Sequence, residues 1–437
     1  MKKYFISGAM LAGLMSLAAC SNDEGVVADN NGAEQQFTIT LASSGDRATR
    51  AAADRTLESE AAGQSIEKVT LVVRSQDDNK VVYIHTLDNW NDTATDYNTN
   101  GHGKKLTFTI PKADKLGAGS YVVTAVGYNE GNYNLKLPAK GDVVDKNITA
   151  ITPADAEAKE VFAGEQEFTV KDGKIDGTDG SKAIQSVDVT LHRQVAGAYG
   201  YFTSIPAKIG ETDVASIRMV SRSKNTVLTF GSFNRSFTTT DANVMYMVNG
   251  SVPAGKTAKF LNGDEANVLF SAKITDWFPG GDKNNDGVYD KEDTNWTKHY
   301  SGSYLKGSVF ASNFIVPFSA TEGKSTLELQ LLDATGNVLY AWPVKLDASN
   351  DQIGKTGETA SADLFGTGTA MGFAETADVF SLFRNHIYSI GIHKQDTTNP
   401  DKTEPGIDQP TDLSKIQNVV IRVNDNWEAL HHMSIDE

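Results

Sequence analysis

Residues 282 to 293 read DKNNDGVYDKED. Counted from Asp282, side-chain oxygens fall at positions 1, 3 and 5 (Asp282, Asn284, Asp286) and a glycine at position 6 (Gly287). The Val288 carbonyl falls at position 7, with carboxylates at 9 and 12 (Asp290, Asp293). Calcium takes roughly six to eight hard oxygens from a flexible loop, and this spacing supplies them. Aspartate replaces the usual glutamate at the last position, and the flanks ITDWFPGG and TNWTKHY do not read as helices. The expectation is a structural Ca2+ that pins a long loop. The other reading is an Asn/Asp/Gly turn between strands.

Two further groups carry chemistry, both near the start. The chain opens MKKYFISGAMLAGLMSLAAC, with Lys2 and Lys3 ahead of an apolar run. The run is too short and too early for a spanning helix and reads as a secretory signal. It ends in Leu17-Ala18-Ala19-Cys20, a lipobox-like sequence whose cysteine becomes the acylated (palmitate-bearing) first residue of the mature protein. Cys20 is the only cysteine in 437 residues, which excludes an intramolecular disulfide. The second group is the arginines of QFTITLASSGDRATRAAADRT, residues 36 to 56. Phe37, Ile39 and Leu41 alternate with polar or small residues as in a strand, and Arg47, Arg50 and Arg55 follow in a loop of small residues open to an Arg-specific protease. Solvated arginines with no such role are the plain alternative.

Nothing comparable points to an enzyme. H-E-x-x-H, G-x-S-x-G and Walker patterns are missing from the sequence. His192 and His386 lie on strand patterns, and the adjacent His431 and His432 would face opposite sides of a strand. A net charge of −16 speaks against nucleic acid as a partner, since phosphates need a basic face.

The elements that must position these groups are strands. KVTLVV, KVVYIHTL, KLTFTIP, SYVVTAVGY and QEFTV show two-residue periodicity in the first part. SVDVTLH, SIRMVS, TVLTF, NVLFSAKI, TLELQLL, VLYAWPVKL and HIYSIGI show it in the second. DATGN, with Gly336 free to take positive φ, reads as a hairpin turn. Many short strands with turn signals imply an all-β chain of β-sandwiches. The expected organisation is a signal over 1–20 and a propeptide with the first strand over 21–50. Sandwich domains follow over 51–185 and 186–393, then a Pro/Asp/Thr-rich linker over 394–412 and a last segment over 413–437. In that segment Val419, Ile421 and Val423 alternate with Val420, Arg422 and Asn424 and Trp427 follows, so it reads as one strand tethered apart from its own domain.

A lone strand is unstable, so each terminal strand needs a sheet to join. Loss of the first strand by cleavage would open a groove, and the last strand of another copy could fill it, giving head-to-tail growth. The lipobox, the strand-then-Arg loop, SYVVTAVGYNE, EVFAGEQEFTV, VDVTLHRQVAGAYGYF, FRNHIYSIGI and the final strand, in this order, resemble the Bacteroidales fimbrillins, subunits of type V pili, and most of all their minor-fimbrium branch. The resemblance implies two transthyretin-like β-sandwich domains in tandem and a surface lipoprotein precursor in the outer membrane. It implies trimming by an Arg-specific protease, with Arg50 the best-matched site and Arg47 and Arg55 as alternatives. It also implies polymerisation by donor-strand exchange into a fimbrium that supports adhesion or biofilm formation. The partners implied are copies of the chain or related fimbrillins, tip and anchor subunits, the protease, and a membrane held through the lipid. The presence of a C-terminal donor segment favours a stalk subunit. The alternative function is a glycan-binding surface lipoprotein in which Trp90, Trp277, Trp296 and Trp342 offer stacking platforms; a monomeric structural lipoprotein is a third.

Overall fold

The structure, a computed structural model, describes residues 34–41, 66–96, 104–144, 149–151, 158–176, 186–221, 228–230, 267–300, 304–317, 327–346, 382, 387–393, 409–414 and 419–424. These are almost entirely strand and turn. The longer strands of the first half are β1 (Gln36–Leu41), β2 (Lys68–Ser75), β3 (Val81–Leu87), β4 (Lys104–Thr109), β5 (Gly119–Tyr128), β6 (Phe162–Lys171) and β7 (Ser186–Arg193). Those of the second half are β8 (Ala196–Thr203), β9 (Ser216–Ser221), β10 (Asn267–Lys273), β11 (Ser308–Ile315), β12 (Leu327–Leu332), β13 (Val338–Leu346), β14 (Ile387–Ile390) and β15 (Val419–Asn424).

The first sheet runs β3-β2-β5-β6-β7-β1-β4. It is folded into two layers by β7, whose residues 186–191 pair with β1 while His192 and Arg193 pair with β6. The close crossing depends on Gly164 of β6, where a Cβ would lie 1.9 Å from the Thr190 carbonyl oxygen. Between the layers lie Val69, Leu71 and Val73, as the alternation in KVTLVV requires, together with Phe37, Ile39, Val123, Phe168, Val187 and Val189. Val72 on the other face is buried as well, against Val81 and under Leu137 and Val144. The second sheet runs β10-β9-β12-β13-β15-β14-β8-β11 around its own core, which includes Phe202, Phe270, Phe310, Leu329, Trp342 and Tyr388.

The expected division between residues 185 and 186 falls one strand early. SVDVTLH belongs to the first sheet, and the chain passes to the second between Arg193 and Ala196. Its alternation would suit either sheet, and the stretch before it, KDGKIDGTDGSKAIQ, reads as a loop. Part of that stretch is instead a tight hairpin: Lys171 pairs with Lys174 across Asp172 and Gly173, both at positive φ (51° and 72°). Two positive-φ residues make the turn whose twist matches its strands, and an Asp-Gly pair suits it.

The junction itself is buried. The Arg193 Nε and Nη2 donate to Glu160 Oε1 at 2.9 and 2.6 Å, and the guanidinium lies 5.1 Å from the centre of the Phe162 ring. The Gln194 amide nitrogen donates to the Val161 carbonyl at 2.8 Å. Short strands Thr149–Ile151 and Leu228–Phe230 pair across the same junction.

The DATGN turn forms as its sequence implies, with Gly336 at φ 86°. Asp333 Oδ1 accepts from Thr335 Oγ1 (2.7 Å), Thr335 N (2.8 Å) and Asn337 N (2.9 Å). The Thr335 hydroxyl, then Asn337, hold its carboxyl down at about 2. A depressed carboxylate contributes stability above its unfolded value, 3.8, and loses it as pH falls through the folded one. Amide exchange at Thr335 and Asn337 should therefore stay slow down to about pH 4 and accelerate, beyond the intrinsic pH trend, towards about pH 2. Protection unchanged over that interval would count against the assignment.

Candidate assembly site at the terminal strands

The first strand is held from both sides. It runs parallel to β7 (Gln36↔Ser186 to Leu41↔Leu191) and antiparallel to β4 (Gln36↔Thr109 to Leu41↔Lys104) along its whole length. Phe37 and Ile39 are fully buried, as the alternation implies. The Phe37 ring meets Phe168 edge-on across the sandwich at 5.5 Å between centroids. Leu41 continues the backbone ladder; its side chain lies outside the described residues. Thr38 is buried too, its hydroxyl 2.7 Å from Ser186 Oγ and 3.1 Å from Thr107 Oγ1.

One residue missed by the hydrophobic pattern anchors the entry to this strand. Gln35 is fully buried. Its Nε2 donates to the Leu116 carbonyl at 3.0 Å and the Gly173 carbonyl at 3.3 Å, and its Oε1 accepts the Leu116 amide at 2.8 Å. The Gln35 carbonyl accepts from Ile110 N at 2.9 Å. The Asp172-Gly173 turn sets one wall of this pocket and the segment after β4 the other. A polar residue just ahead of an apolar alternation looks like a solvated strand end, so the sequence carries no signal for it.

The last strand departs from expectation. β15 is a member of the chain's own second sheet, between β13 and β14, and not a strand held apart from it. The physical reason is the one that makes a lone strand unstable: β13 and β14 would otherwise each leave an unpaired edge. Val419 to Ile421 run parallel to Val344–Leu346, and Arg422 to Asn424 run antiparallel to Ile387–Ser389. Ahead of it, Thr411–Asp412 pair with Phe202–Thr203, and Leu413 is buried. Residues 409–412, expected as linker, are thus partly built into the sheet. The side chains of Val419, Ile421 and Val423 lie outside the described residues, as do Trp427, Cys20, Arg47, Arg50, Arg55, His386, His431 and His432.

The Asp/Asn loop forms a self-bonded turn. Asp282 accepts from Asn285 N (2.7 Å) and Gly287 N (2.8 Å), Asp286 from Val288 N (2.9 Å), and Asp290 from Glu292 N (2.8 Å). Gly287 has φ 89°. Asp293 is fully buried and accepts from Lys283 N (2.8 Å) and Asp290 N (3.1 Å), while Asn284 Oδ1 accepts from Asp286 N at 3.1 Å. Among the described residues no three His, Cys, Asp or Glu side chains converge on a point where a metal ion could sit. The donor chemistry fits calcium, whereas the present directions of the carboxylates fit the loop's own amides.

The expected stacking platforms are mostly interior. Trp90, Trp277 and Trp342 are buried in the cores, where burial of aromatic surface is worth more than exposure. Trp296 is half-buried and its indole N–H donates to the Ser308 carbonyl at 2.8 Å.

No family model and no curated protein matches the sequence. Solved structures similar to the chain include the tip fimbrial protein Mfa3 of Porphyromonas gingivalis, with C-terminal truncation, at 10% identity, TM-score 0.32, over 82% of this chain and 94% of that one. The fimbrial anchor protein Mfa2 of the same organism is similar at 10% identity, TM-score 0.32, over 71% and 82%. A proposed polysaccharide-binding protein of Bacteroides thetaiotaomicron is similar at 12% identity, TM-score 0.37, over 82% and 92%.

Replacing Gln35 by Leu strands two carbonyls and an amide in a buried pocket. The full-length chain should lose about 1–3 kcal/mol against urea. A midpoint within error of the unchanged chain would show that the pocket is not a lock.

Proposed function

We propose that this chain is a fimbrial subunit, exported as an outer-membrane lipoprotein through Cys20, trimmed after Arg50 (or Arg47 or Arg55), and polymerised on the cell surface by donor-strand exchange. The observation that carries the reading is the position of β1. It is an interior strand with buried Phe37 and Ile39, and its neighbours β4 and β7 are distant in sequence. Loss of such a strand opens a groove with two unpaired edges, each seeking a replacement. Residues 42–65, which carry the three arginines, are the only covalent link between β1 and β2.

The donor in this reading is the last strand of a second copy, and the two ladders around β1 support it. Among the described residues β15 pairs with β13 through Val419 to Ile421 and with β14 through Arg422 to Asn424. The slot of β1 offers partners on both sides along its whole length. The slot of β1 thus supplies a backbone ladder on each side, the main source of strength in strand addition. In this reading the domains are transthyretin-like sandwiches, and the chain joins related subunits at tip and anchor and has no catalytic role. The glycan-binding alternative loses its support, because three of the four tryptophans it needs are interior.

Changing Arg47, Arg50 and Arg55 together to Ala should leave a full-length lipidated monomer, whereas the unchanged protein in sheared surface material should begin at Ala51 or just after Arg47 or Arg55. N-terminal sequencing checks both, and normal filaments from the triple variant would sink the reading.

Calcium at the 282–293 loop is a separate proposal. Asp282, Asn284, Asp286, the Val288 carbonyl, Asp290 and Asp293 would hold it after turning from the amides they now accept. Calorimetric titration should show one site in the range of about 10⁻⁴ to 10⁻³ M, lost in Asp286→Ala. No heat of binding up to several millimolar would leave the loop held by its own amides.

A further inference from the structure

The Gln35 pocket offers two carbonyls and one amide, a set that a primary carboxamide satisfies. Residues 35–41 are QQFTITL, and residues 417–423 are QNVVIRV. Placed in the same direction, Gln417 takes the place of Gln35, and Val419, Ile421 and Val423 those of Phe37, Ile39 and Leu41. Val420 falls on Thr38, a buried position, and Arg422 on Thr40, a half-buried one.

We propose that the pocket formed by the Leu116 carbonyl and amide and the Gly173 carbonyl is the register lock for the incoming strand, and that its occupant is the carboxamide of Gln417 from a second copy. The inference rests on the assembly reading above and adds what that reading leaves open, the direction and register of the donor.

Direction follows from two positions. Reversed, with Val423, Ile421 and Val419 on the sites of Phe37, Ile39 and Leu41, the donor brings Asp425 to the pocket. A carboxylate there would face two carbonyl oxygens with no proton to give. The same reversal buries Arg422 where Thr38 now lies, at a high desolvation cost. The forward direction brings a primary amide, the group that donates to two carbonyls and accepts from one N–H, as Gln35 does. It also sets Val420, a near isostere of threonine, at the buried site.

Register follows from the pocket. A forward shift by two residues brings Val419 or Lys415 to it. Valine satisfies none of its groups. Lysine cannot accept the Leu116 amide, and that shift also moves Gln417 onto the apolar site of Phe37. The donor therefore runs parallel to β7 and antiparallel to β4, as β1 does. One parallel and one antiparallel neighbour are also what β15 has in its own sheet.

The test uses the full-length chain, trimmed with an Arg-specific protease and grown under oxidised glutathione. Thr38 lies directly opposite Thr107. A chain carrying Thr107→Cys and Val420→Cys should give a disulfide-linked ladder on non-reducing gels, since directly opposed residues on paired strands lie within disulfide reach. Cys20 departs with the trimmed segment and does not interfere. A ladder from Thr107→Cys with Arg422→Cys, and none with Val420→Cys, would overturn the proposed direction while leaving strand exchange standing. In a chain without added cysteines, Gln417→Glu should slow polymer growth at pH 7 about tenfold or more, the loss of one or more buried hydrogen bonds. Growth at the unchanged rate would overturn the lock. If the unchanged chain, once trimmed, forms no polymer at all, the assembly reading falls and the register lock with it.

Discussion

Everything in this molecule depends on the rule that a buried backbone amide or carbonyl must have a partner. A strand inside a sheet satisfies that rule for three strands at once. β1 is such a strand, and its removal would expose the facing edges of β4 and β7 together with the apolar floor under Phe37 and Ile39. Burial of a phenylalanine and an isoleucine is worth roughly 1.5–3 kcal/mol each, before any ladder is counted. A vacated slot of this kind is a high-energy surface with a defined shape. Whatever fills it must supply backbone groups on both sides and apolar side chains at alternate positions.

The two ends of the chain meet this rule in different ways. β1 is paired on both sides along its length and anchored at its entry by three side-chain hydrogen bonds of Gln35. Among the described residues β15 has β13 beside Val419 to Ile421, parallel, and β14 beside Arg422 to Asn424, antiparallel. Both terminal strands are thus interior members of a sheet.

Alternation and turns were legible in the sequence because they record local geometry. Phe37 and Ile39 are buried, KVTLVV presents the expected face, and DATGN turns at Gly336. What was not legible depends on where distant segments meet. SVDVTLH shows the same alternation in either sheet, so its membership was decided by pairing with β1 and not by its residues. Gln35 has nothing in its neighbours to mark it, since its partners Leu116 and Gly173 lie far along the chain. Burial of Trp342 follows from its place inside a strand, whereas that of Trp90 and Trp277 depends on segments distant in the sequence. The loop at 282–293 gave its oxygens, but which way a carboxylate turns depends on competition between an ion and the loop's own amides.

The junction between sheets ties the two slots together. β7 forms one wall of the β1 slot and continues through Gln194 and Val195 into β8. β8 pairs with β14, and β14 with β15. A pull on a strand seated in the first slot is thus carried by one covalent line into the second sheet and reaches the root of the last strand through two ladders. At the midpoint of that line the backbone leaves one core for the other. There Arg193, buried and paired with Glu160, sits over Phe162, and Gln194 is bonded to Val161 and Ala163. A buried ion pair contributes little net stability by itself, but breaking one is costly. The pair fixes the end of β7 to the segment entering β6, just where the backbone leaves the first sheet.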